Sequence, residues 1–227
     1  MSDRPKAICV CSGGLDSTVS ATIAKGDGYD LYMIHLNYGH RAEKREVEAT
    51  SRIASYLGAK EVKLISLDFL KELGGSSLTD FSIPVPVGGK IPQGETPSTW
   101  VPCRNLVFLS LASSYAEIIK ADSLFVGFNA EEAESYPDNT EEFVDKFNAT
   151  LLNAVASFTK PPKVKAPLVG MYKRDIARKG VEVKAPMDLT WSCYLDYDKH
   201  CGKCEACMHR KRGFLEAGIE DPTEYLE

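Results

Sequence analysis

The sequence Ser12-Gly13-Gly14-Leu15-Asp16-Ser17 follows an apolar run at residues 7–11 and leads into residues 18–24, which have the pattern of a helix. A strand that turns through two glycines into a helix leaves several backbone N–H groups unpaired at the positive end of that helix. The glycines also let the main chain approach a ligand closely, and the serines add hydroxyl donors. The stretch therefore predicts a phosphate-binding loop at the end of a first strand.

The spacing in this loop is not the Walker A pattern, because no Gly-Lys-Ser or Gly-Lys-Thr follows a four-residue gap. It resembles the PP-loop, Ser-Gly-Gly-x-Asp-Ser, of the N-type ATP pyrophosphatases, which cleave ATP between its α and β phosphates and transfer AMP to the substrate. A carboxylate beside a triphosphate is unfavourable unless a divalent cation lies between them, so Asp16 is predicted to bind Mg²⁺. The alternative is a tight turn without a ligand. The resemblance implies that ATP is bound by Ser12, Gly13, Gly14, Leu15, Asp16 and Ser17.

Length and composition describe a globular protein with one α/β core and an appendage, because the chain has 227 residues, of which 44% are hydrophobic and 26% charged. No apolar run approaches the roughly 20 residues of a membrane span, and the N-terminus lacks the pattern of a signal peptide. We therefore expect a cytoplasmic protein without membrane contact. The net charge of −5 disfavours direct nucleic-acid binding. The basic run at residues 209–212 is interpreted as a solvated helix face.

Hydrophobic periodicity predicts strands alternating with helices, which is typical of a parallel sheet with right-handed crossovers. We expect an α/β fold with a Rossmann-like, doubly wound parallel sheet. The resemblance to PP-loop proteins implies the adenine nucleotide alpha hydrolase-like form of this fold. Residues 74–99, rich in Gly, Ser and Pro, are predicted to form a long loop, either a lid or binding loop or a disordered segment. The predicted strands are residues 6–11, 30–37, 61–66 and 123–128, and the predicted helices are residues 42–57, 104–119, 140–158 and 172–179.

Three loops leave the carboxyl ends of predicted strands, at residues 12–17, 37–41 and 129–138. In open parallel sheets, ligands bind in the crevice beyond these ends. The three loops are therefore expected to converge on one crevice.

Four of the seven cysteines lie close together near the C-terminus, as Cys-x-x-Cys-x-x-Cys with a further thiol eight residues upstream. Four thiolates suit a closed, tetrahedral Zn²⁺ site that supplies folding energy, and an iron–sulfur cluster is the alternative. His200 and His209 are interpreted as bystanders, and Cys9 and Cys11 as core residues. The predicted zinc ligands are Cys193, Cys201, Cys204 and Cys207.

The PP-loop and the cysteine set together resemble the 7-cyano-7-deazaguanine synthase family over nearly the whole chain. The PP-loop indicates only the superfamily. The motifs that follow it in order along the chain are more specific for this family. The matching motifs are Tyr38-Gly39-x-Arg41, Val101-Pro102-x-Arg104-Asn105, Gly127-x-Asn129, Tyr136-Pro137-Asp138, Pro167-Leu168 with Lys173, Trp191-Ser192-Cys193-Tyr194, Cys201-Gly202-x-Cys204-x-x-Cys207-x-x-Arg210, Gly213-Phe214, Ala217-Gly218 and Asp221-Pro222-Thr223-x-Tyr225.

This resemblance implies ATP-dependent conversion of 7-carboxy-7-deazaguanine and ammonia to the nitrile, by adenylation of the carboxylate, amide formation, a second activation and dehydration. It implies a PP-loop domain over residues 1–185 and a C-terminal zinc-binding and helical region over residues 186–227. The sequence does not determine the oligomeric state, and a homodimer is one possibility. The implied catalytic residues are Asp16, Lys173 and Arg104; Arg41 joins the PP-loop in ATP binding; and the implied substrate-binding residues are Arg104, Asn105, Asn129, Tyr136 and Asp138.

Spacing alone favours plainer roles, with Arg104 paired with a surface carboxylate, Lys173 a solvated helix residue and Asp138 a cap of the helix that follows it. Cys103, where the family usually has Gly, is interpreted as a packed residue at a helix start. The family usually has Gln-Arg-His where this chain has His-Arg-Ala at residues 40–42, so the ATP-contacting histidine of the family has no counterpart here. The family also has Ser-Gly-Tyr-Pro-Asp-Cys where this chain has Glu-Ser-Tyr-Pro-Asp-Asn at residues 134–139. Rival functions are another PP-loop ligase or tRNA-modifying adenylating enzyme, and a noncatalytic nucleotide-sensing zinc module that would bind ATP without releasing AMP.

Overall fold

The computed structural model describes residues 4–88, 95–156 and 160–226. Five parallel strands form one sheet in the order β3-β2-β1-β4-β5. The chain order reverses on either side of the central strand β1, which makes the carboxyl ends of β1 and β4 the place where a ligand crevice opens. The doubly wound parallel sheet predicted from the sequence is confirmed. The strands are β1 (Lys6–Val10), β2 (Asp30–Asn37), β3 (Glu61–Ser66), β4 (Ser123–Phe125) and β5 (Lys163–Lys165).

Helices cover both faces of the sheet, and 3₁₀ turns occupy Pro137–Asn139 and Met187–Leu189. None of the helices in the described part of the chain has the length and apolar character that a membrane crossing requires. The helices are α1 (Leu15–Gly26), α2 (Glu43–Leu57), α3 (Asp68–Leu73), α4 (Arg104–Ile119), α5 (Ala130–Ala133), α6 (Glu141–Ala154), α7 (Lys173–Glu182) and α8 (Glu205–Ala217).

Side chains of β1 alternate between the two layers of the core, as the two-residue period of a strand requires. Ile8 packs with α4 and α6 on one face, whereas Cys9 and Cys11 pack with α1 and α2 on the other. The interpretation of both cysteines as core residues is confirmed, since each is at most 3% exposed.

Strand β1 ends one residue before its predicted end, at Val10, and α7 continues three residues beyond its predicted end, to Glu182. Two other elements were predicted three or more residues too long. Strand β4 ends at Phe125 rather than 128, because the chain then passes beneath the PP-loop at Gly127, where a Cβ atom would lie 2.6 Å from the backbone nitrogen of Ser17. Helix α6 ends at Ala154 rather than 158, with Val155 extended; residues 157 and 158 of that prediction lie outside the described residues. The side chain of Asn148 then holds both backbone groups of Val164 at the middle of β5.

The predicted long loop is packed against the protein where the structure describes it, at residues 74–88 and 95–99. Ser76, Ser77 and Leu78 are buried. The backbone N–H of Ser77 donates to the carbonyl of Ser98 at 2.7 Å, and Val87 pairs with Cys204. The backbone N–H of Arg41, which follows β2, donates to the carbonyl of Leu78 at 3.2 Å, so the described loop contacts both the sheet end and the segment that holds the C-terminal cysteines. Residues 89–94 of the prediction lie outside the described residues.

Candidate active site

A cavity of about 220 Å³ opens at the carboxyl ends of β1, β2 and β4. Ser12 of the first predicted loop, Tyr38 of the second and Tyr136 of the third all lie in its wall. The expected convergence of the three loops on one crevice is confirmed. Lys173, at the start of α7, and Arg104, at the start of α4, complete this wall from opposite sides of the sheet.

The PP-loop adopts the close turn that its glycines allow. Gly13 has φ +78°, and a Cβ atom there would lie 2.8 Å from the carbonyl oxygen of Glu46. The hydroxyl of Thr18 donates to the carbonyl of Gly14 at 2.7 Å. Among the residues that the structure describes, no side chain caps the start of α1, so its first N–H groups can bind an anion in the cavity.

Lys173 bridges two carboxylates at the edge of the PP-loop. Its Nζ lies 2.5 Å from Asp16 Oδ2 and 3.3 Å from Glu132 Oε1. Burial raises the pKa of Asp16. Burial acts in the same direction on Glu132, but the charges of Lys173 and Arg104 outweigh it and hold the pKa of Glu132 below its usual range. The other carboxylate oxygen of Asp16 is buried without a hydrogen-bond partner among the described residues. An oxygen in this position could bind a divalent cation.

Two of the predicted substrate-binding residues lie behind the wall rather than in it. Asp138 is 7% exposed, and its carboxylate accepts from the backbone N–H of Asn105 at 3.2 Å and the side-chain amide at 3.1 Å. It therefore caps the start of α4. Asn129 donates to Asp16 at 3.4 Å and accepts from the N–H of Glu132 at 3.0 Å, so it supports both carboxylates.

Tyr136 and Arg104 are both part of the wall. The Tyr136 hydroxyl lies 2.8 Å from that of Thr99, and burial raises the pKa of Tyr136 to about 12. Arg104 donates to the hydroxyl of Tyr38 at 3.2 Å. Arg41, in contrast, donates to the carbonyls of residues 77, 80 and 83, and so holds the long loop rather than lining the cavity.

The four cysteines near the C-terminus form one buried cluster, in which all Sγ atoms lie within 4.8 Å of one another. Four thiolates around one tetrahedral ion with Zn–S bonds of about 2.3 Å are separated by roughly 3.8 Å, which the cluster can reach with small shifts. Backbone N–H groups of Lys203 and Cys204 donate to Cys201 Sγ at 3.4 and 3.2 Å. His200 is not a member of the cluster, because its Nε2 accepts from the N–H of Ser192 at 2.9 Å.

The cysteine cluster is joined to the PP-loop through one residue. The backbone N–H of Trp191 donates to the carbonyl of Gly13 at 2.8 Å, and its indole N–H donates to the carbonyl of Cys193 at 2.9 Å. The phosphate-binding loop and the cluster therefore share a structural support.

Comparison with known families gives a match over most of the chain. The family model described as "Queuosine biosynthesis protein QueC" matches residues 6–218. The chain belongs to the QueC family. It is similar to the 7-cyano-7-deazaguanine synthase of Methanothrix thermoacetophila, with 56% identity over 97% of this chain and 98% of that protein. The enzyme of the same name from Nautilia profundicola is 43% identical over 98% of this chain and 99% of that protein.

Solved structures share the fold. The U34-tRNA thiolase NcsA from Methanococcus maripaludis, described with its [4Fe-4S] cluster, has a TM-score of 0.51 and 16% identity, and the match covers 82% of this chain and 59% of that one. A 4-thiouridine synthetase, described in an RNA complex with bound ATP, has a TM-score of 0.51 and 21% identity over 79% of this chain and 40% of that one. At these identities the likeness shows the fold alone.

Two interpretations made from the sequence are wrong. Arg210 does not belong to a solvated face: it is 1% exposed, pairs with Asp221 at 3.0 Å and donates to Thr190 at 2.6 Å. Cys103 is exposed rather than packed, and its φ of +55° lies in the left-handed region. That conformation favours glycine, which is the residue usual in the QueC family at this position.

Several wall residues were not among the site residues predicted from the sequence. Trp191, Tyr194 and Arg210 belong to the quoted motifs but were given no role in the site. The approach of each wall residue to the cavity depends on how distant elements pack, which spacing cannot reveal. These residues are His35, His40, Glu46, Glu132, Tyr194, Trp191 and Arg210.

Proposed function

We propose that the chain converts 7-carboxy-7-deazaguanine, ammonia and ATP to 7-cyano-7-deazaguanine, AMP and pyrophosphate. The observation that carries this proposal is the 56% identity, over 97% of the chain, to a relative named 7-cyano-7-deazaguanine synthase. The cavity supports it, because it joins a phosphate-binding loop to a wall of aromatic and charged side chains.

The first step activates the carboxylate. A carboxylate oxygen forms a bond to the α-phosphorus of ATP, and the bond from that phosphorus to the bridging oxygen breaks, so that pyrophosphate leaves. The free N–H groups at the start of α1 and the ammonium of Lys173 complement the negative charge of the leaving group. Lys173 can change partners during this step, since it is already shared between Asp16 and Glu132.

The later steps exchange oxygen for nitrogen. Ammonia displaces AMP from the acyl adenylate and leaves a carboxamide. A second ATP adenylates the amide oxygen, and loss of AMP with two protons gives the nitrile. One cavity suffices for both halves, because the heterocycle keeps its place while the reacting group changes.

Two metal ions fit the donor sets of this chain. Asp16, with one buried and unpartnered oxygen, would hold Mg²⁺, which neutralises phosphate charge when bound. The four clustered cysteines would hold Zn²⁺ as a closed structural site. We infer that residues 186–227 form this metal-binding region and pack on a PP-loop domain of residues 1–185.

The test is reconstitution with purified, zinc-loaded protein. The protein is incubated with ATP, Mg²⁺, ammonium and 7-carboxy-7-deazaguanine. The nitrile is detected by mass spectrometry and AMP by chromatography. We expect nitrile only when all four are present. Folded protein that binds ATP but releases no AMP would instead indicate a nucleotide-sensing module, and AMP without nitrile would indicate a different PP-loop ligase.

A further inference from the structure

Two buried histidines lie in the cavity wall and leave polar atoms unsatisfied. Both His35 and His40 are at most 5% exposed. Nε2 of His35 and Nδ1 of His40 have no hydrogen-bond partner among the described residues. Buried polar atoms without a partner are rare, because each costs desolvation energy, so they mark positions where a ligand group is expected.

The neighbours of each ring settle which nitrogen carries the proton. Nδ1 of His35 lies 2.9 Å from the carbonyl oxygen of Cys11. A carbonyl can only accept, so Nδ1 is protonated and Nε2 of the neutral ring has a free lone pair. Nε2 of His40 lies 3.0 Å from Glu46 Oε2. Neither ring nitrogen of His40 makes a hydrogen bond among the described residues, but the negative charge of Glu46 favours the tautomer with the proton on Nε2, which leaves the lone pair on Nδ1.

The two histidines differ in what surrounds them. His40 stacks on Tyr38, with 4.3 Å between ring centroids, and has the carboxylate of Glu46 to balance a positive charge. Arg104 of α4 donates to Tyr38 and adds positive charge beside Glu46. His35 has no carboxylate in contact, and burial lowers its pKa. His40 is thus the ring that has a carboxylate beside it to balance positive charge.

We propose that His40, oriented by Glu46, accepts protons that leave the ammonia-derived nitrogen. This inference rests on the proposed function. Ammonia has three hydrogens and a nitrile nitrogen has none, so three protons must leave one nitrogen within the cavity.

The other titratable groups of the wall are poorly suited to this task. Asp16 and Glu132 share Lys173. Burial raises the pKa of Cys11 and of Tyr136, each to about 12, so both retain their protons near neutral pH. The His40–Glu46 pair remains, and it has the imidazole–carboxylate arrangement of a general base with its orienting group.

The proton transfers balance as follows. In amide formation, the nitrogen lone pair forms a bond to the acyl carbon, and the carbonyl π electrons move to oxygen. The nitrogen then gives one proton to Nδ1 of His40, the carbonyl re-forms, and AMP leaves with the electron pair of its C–O bond. His40 passes this first proton to solvent before dehydration. In dehydration, the nitrogen of the O-adenylated amide gives one proton to Nδ1 of His40 and the other to solvent, its electron pairs complete the triple bond, and AMP leaves with the electron pair of its C–O bond.

The test separates adenylation of the carboxylate, which transfers no proton, from amide formation and dehydration, in which the nitrogen loses protons. For His40→Phe, which keeps a ring to stack on Tyr38 but has no nitrogen lone pair, we expect substrate-dependent exchange of labelled pyrophosphate into ATP to stay within about threefold of the parent protein, and nitrile formation to fall roughly 100-fold. Glu46→Gln should show the same split, with a smaller loss. His209→Gln, at a histidine outside the cavity, should change neither rate.

Two results would overturn this role for His40. One is nitrile formation by His40→Phe at the parent rate. The other is an equal loss of exchange and of nitrile, which would mean that His40 serves ATP binding or folding. A parent protein that forms no nitrile at all would instead overturn the proposed function, so the two failures are distinguishable.

Discussion

At the scale of single residues, the cavity is organised by charges that neutralise one another. Lys173 lies between Asp16 and Glu132, and its pKa is raised: burial opposes the charge, but the two carboxylates outweigh burial. A buried cation held by two anions can pass to a phosphate ligand without first being desolvated. In the proposed reaction, the ion pair would therefore make the Lys173 ammonium available to the polyphosphate of ATP.

Asp16→Asn tests whether this carboxylate serves the metal and the lysine rather than the fold. The amide keeps the shape of the side chain but removes the charge that a divalent cation requires. We expect AMP formation to fall by at least about 100-fold, with unchanged zinc content and unchanged circular dichroism. If zinc is lost in proportion to activity, Asp16 supports the fold instead.

At the scale of elements, the position of Lys173 depends on the close approach of α7 and α8. Gly213 of α8 faces the first residue of α7, and a Cβ atom on Gly213 would lie 2.5 Å from the Cβ of Lys173 and 2.9 Å from its carbonyl carbon. Only a glycine permits this distance. The crossing of two helices thus sets where the ammonium stands at the PP-loop.

Gly213→Ala should therefore affect stability and activity together. Overpacking of this kind costs about 1–3 kcal/mol, and we expect a lower Tm with a decrease in kcat because Lys173 is displaced. Gly26→Ala is the matched control, since Gly26 is also helical and has open space where a Cβ would lie. Thermal unfolding and AMP release are measured for both. A normal kcat in Gly213→Ala would show that Lys173 is not positioned by this crossing.

Elements with strong periodicity were predictable from the sequence, whereas elements fixed by distant partners were not. The bounds of β2, β3 and α4 match the predictions, because each is a complete apolar pattern with a clear stop. Strand β5 has only three residues, with Val164 buried between two lysines, and no period can be read from it. It forms because β4 and Asn148 supply its hydrogen bonds.

The same distinction applies to the site. The PP-loop and the cysteine cluster are local motifs, so their residues could be chosen from spacing. Asp138 could not be placed in this way, because its carboxylate is directed to the start of α4 by the packing of a separate segment. His40 and Glu46 meet the cavity only because α2 packs beside β1.

At the scale of the whole molecule, the cysteine cluster and the ATP site are coupled through the chain that joins them. Trp191 connects Cys193 to Gly13, and Val87 of the long loop pairs with Cys204. A structural metal contributes folding energy to the segment that holds it. Loss of the metal is therefore expected to release supports on two sides of the cavity.

Metal removal tests this coupling. After chelation, we expect a lower Tm and at least a tenfold weaker Kd for ATP, because the PP-loop loses the hydrogen bond from Trp191 to Gly13; zinc should restore both. Calorimetric titration with ATP and a zinc assay measure the effect.

Cys204→Ser should resemble the chelated protein. Cys103→Ser, at an exposed thiol outside the cluster, should retain zinc and ATP affinity. An unchanged Kd in the metal-free protein would mean that the cluster stabilises only its own segment, and that the PP-loop is held by the sheet and α1 alone.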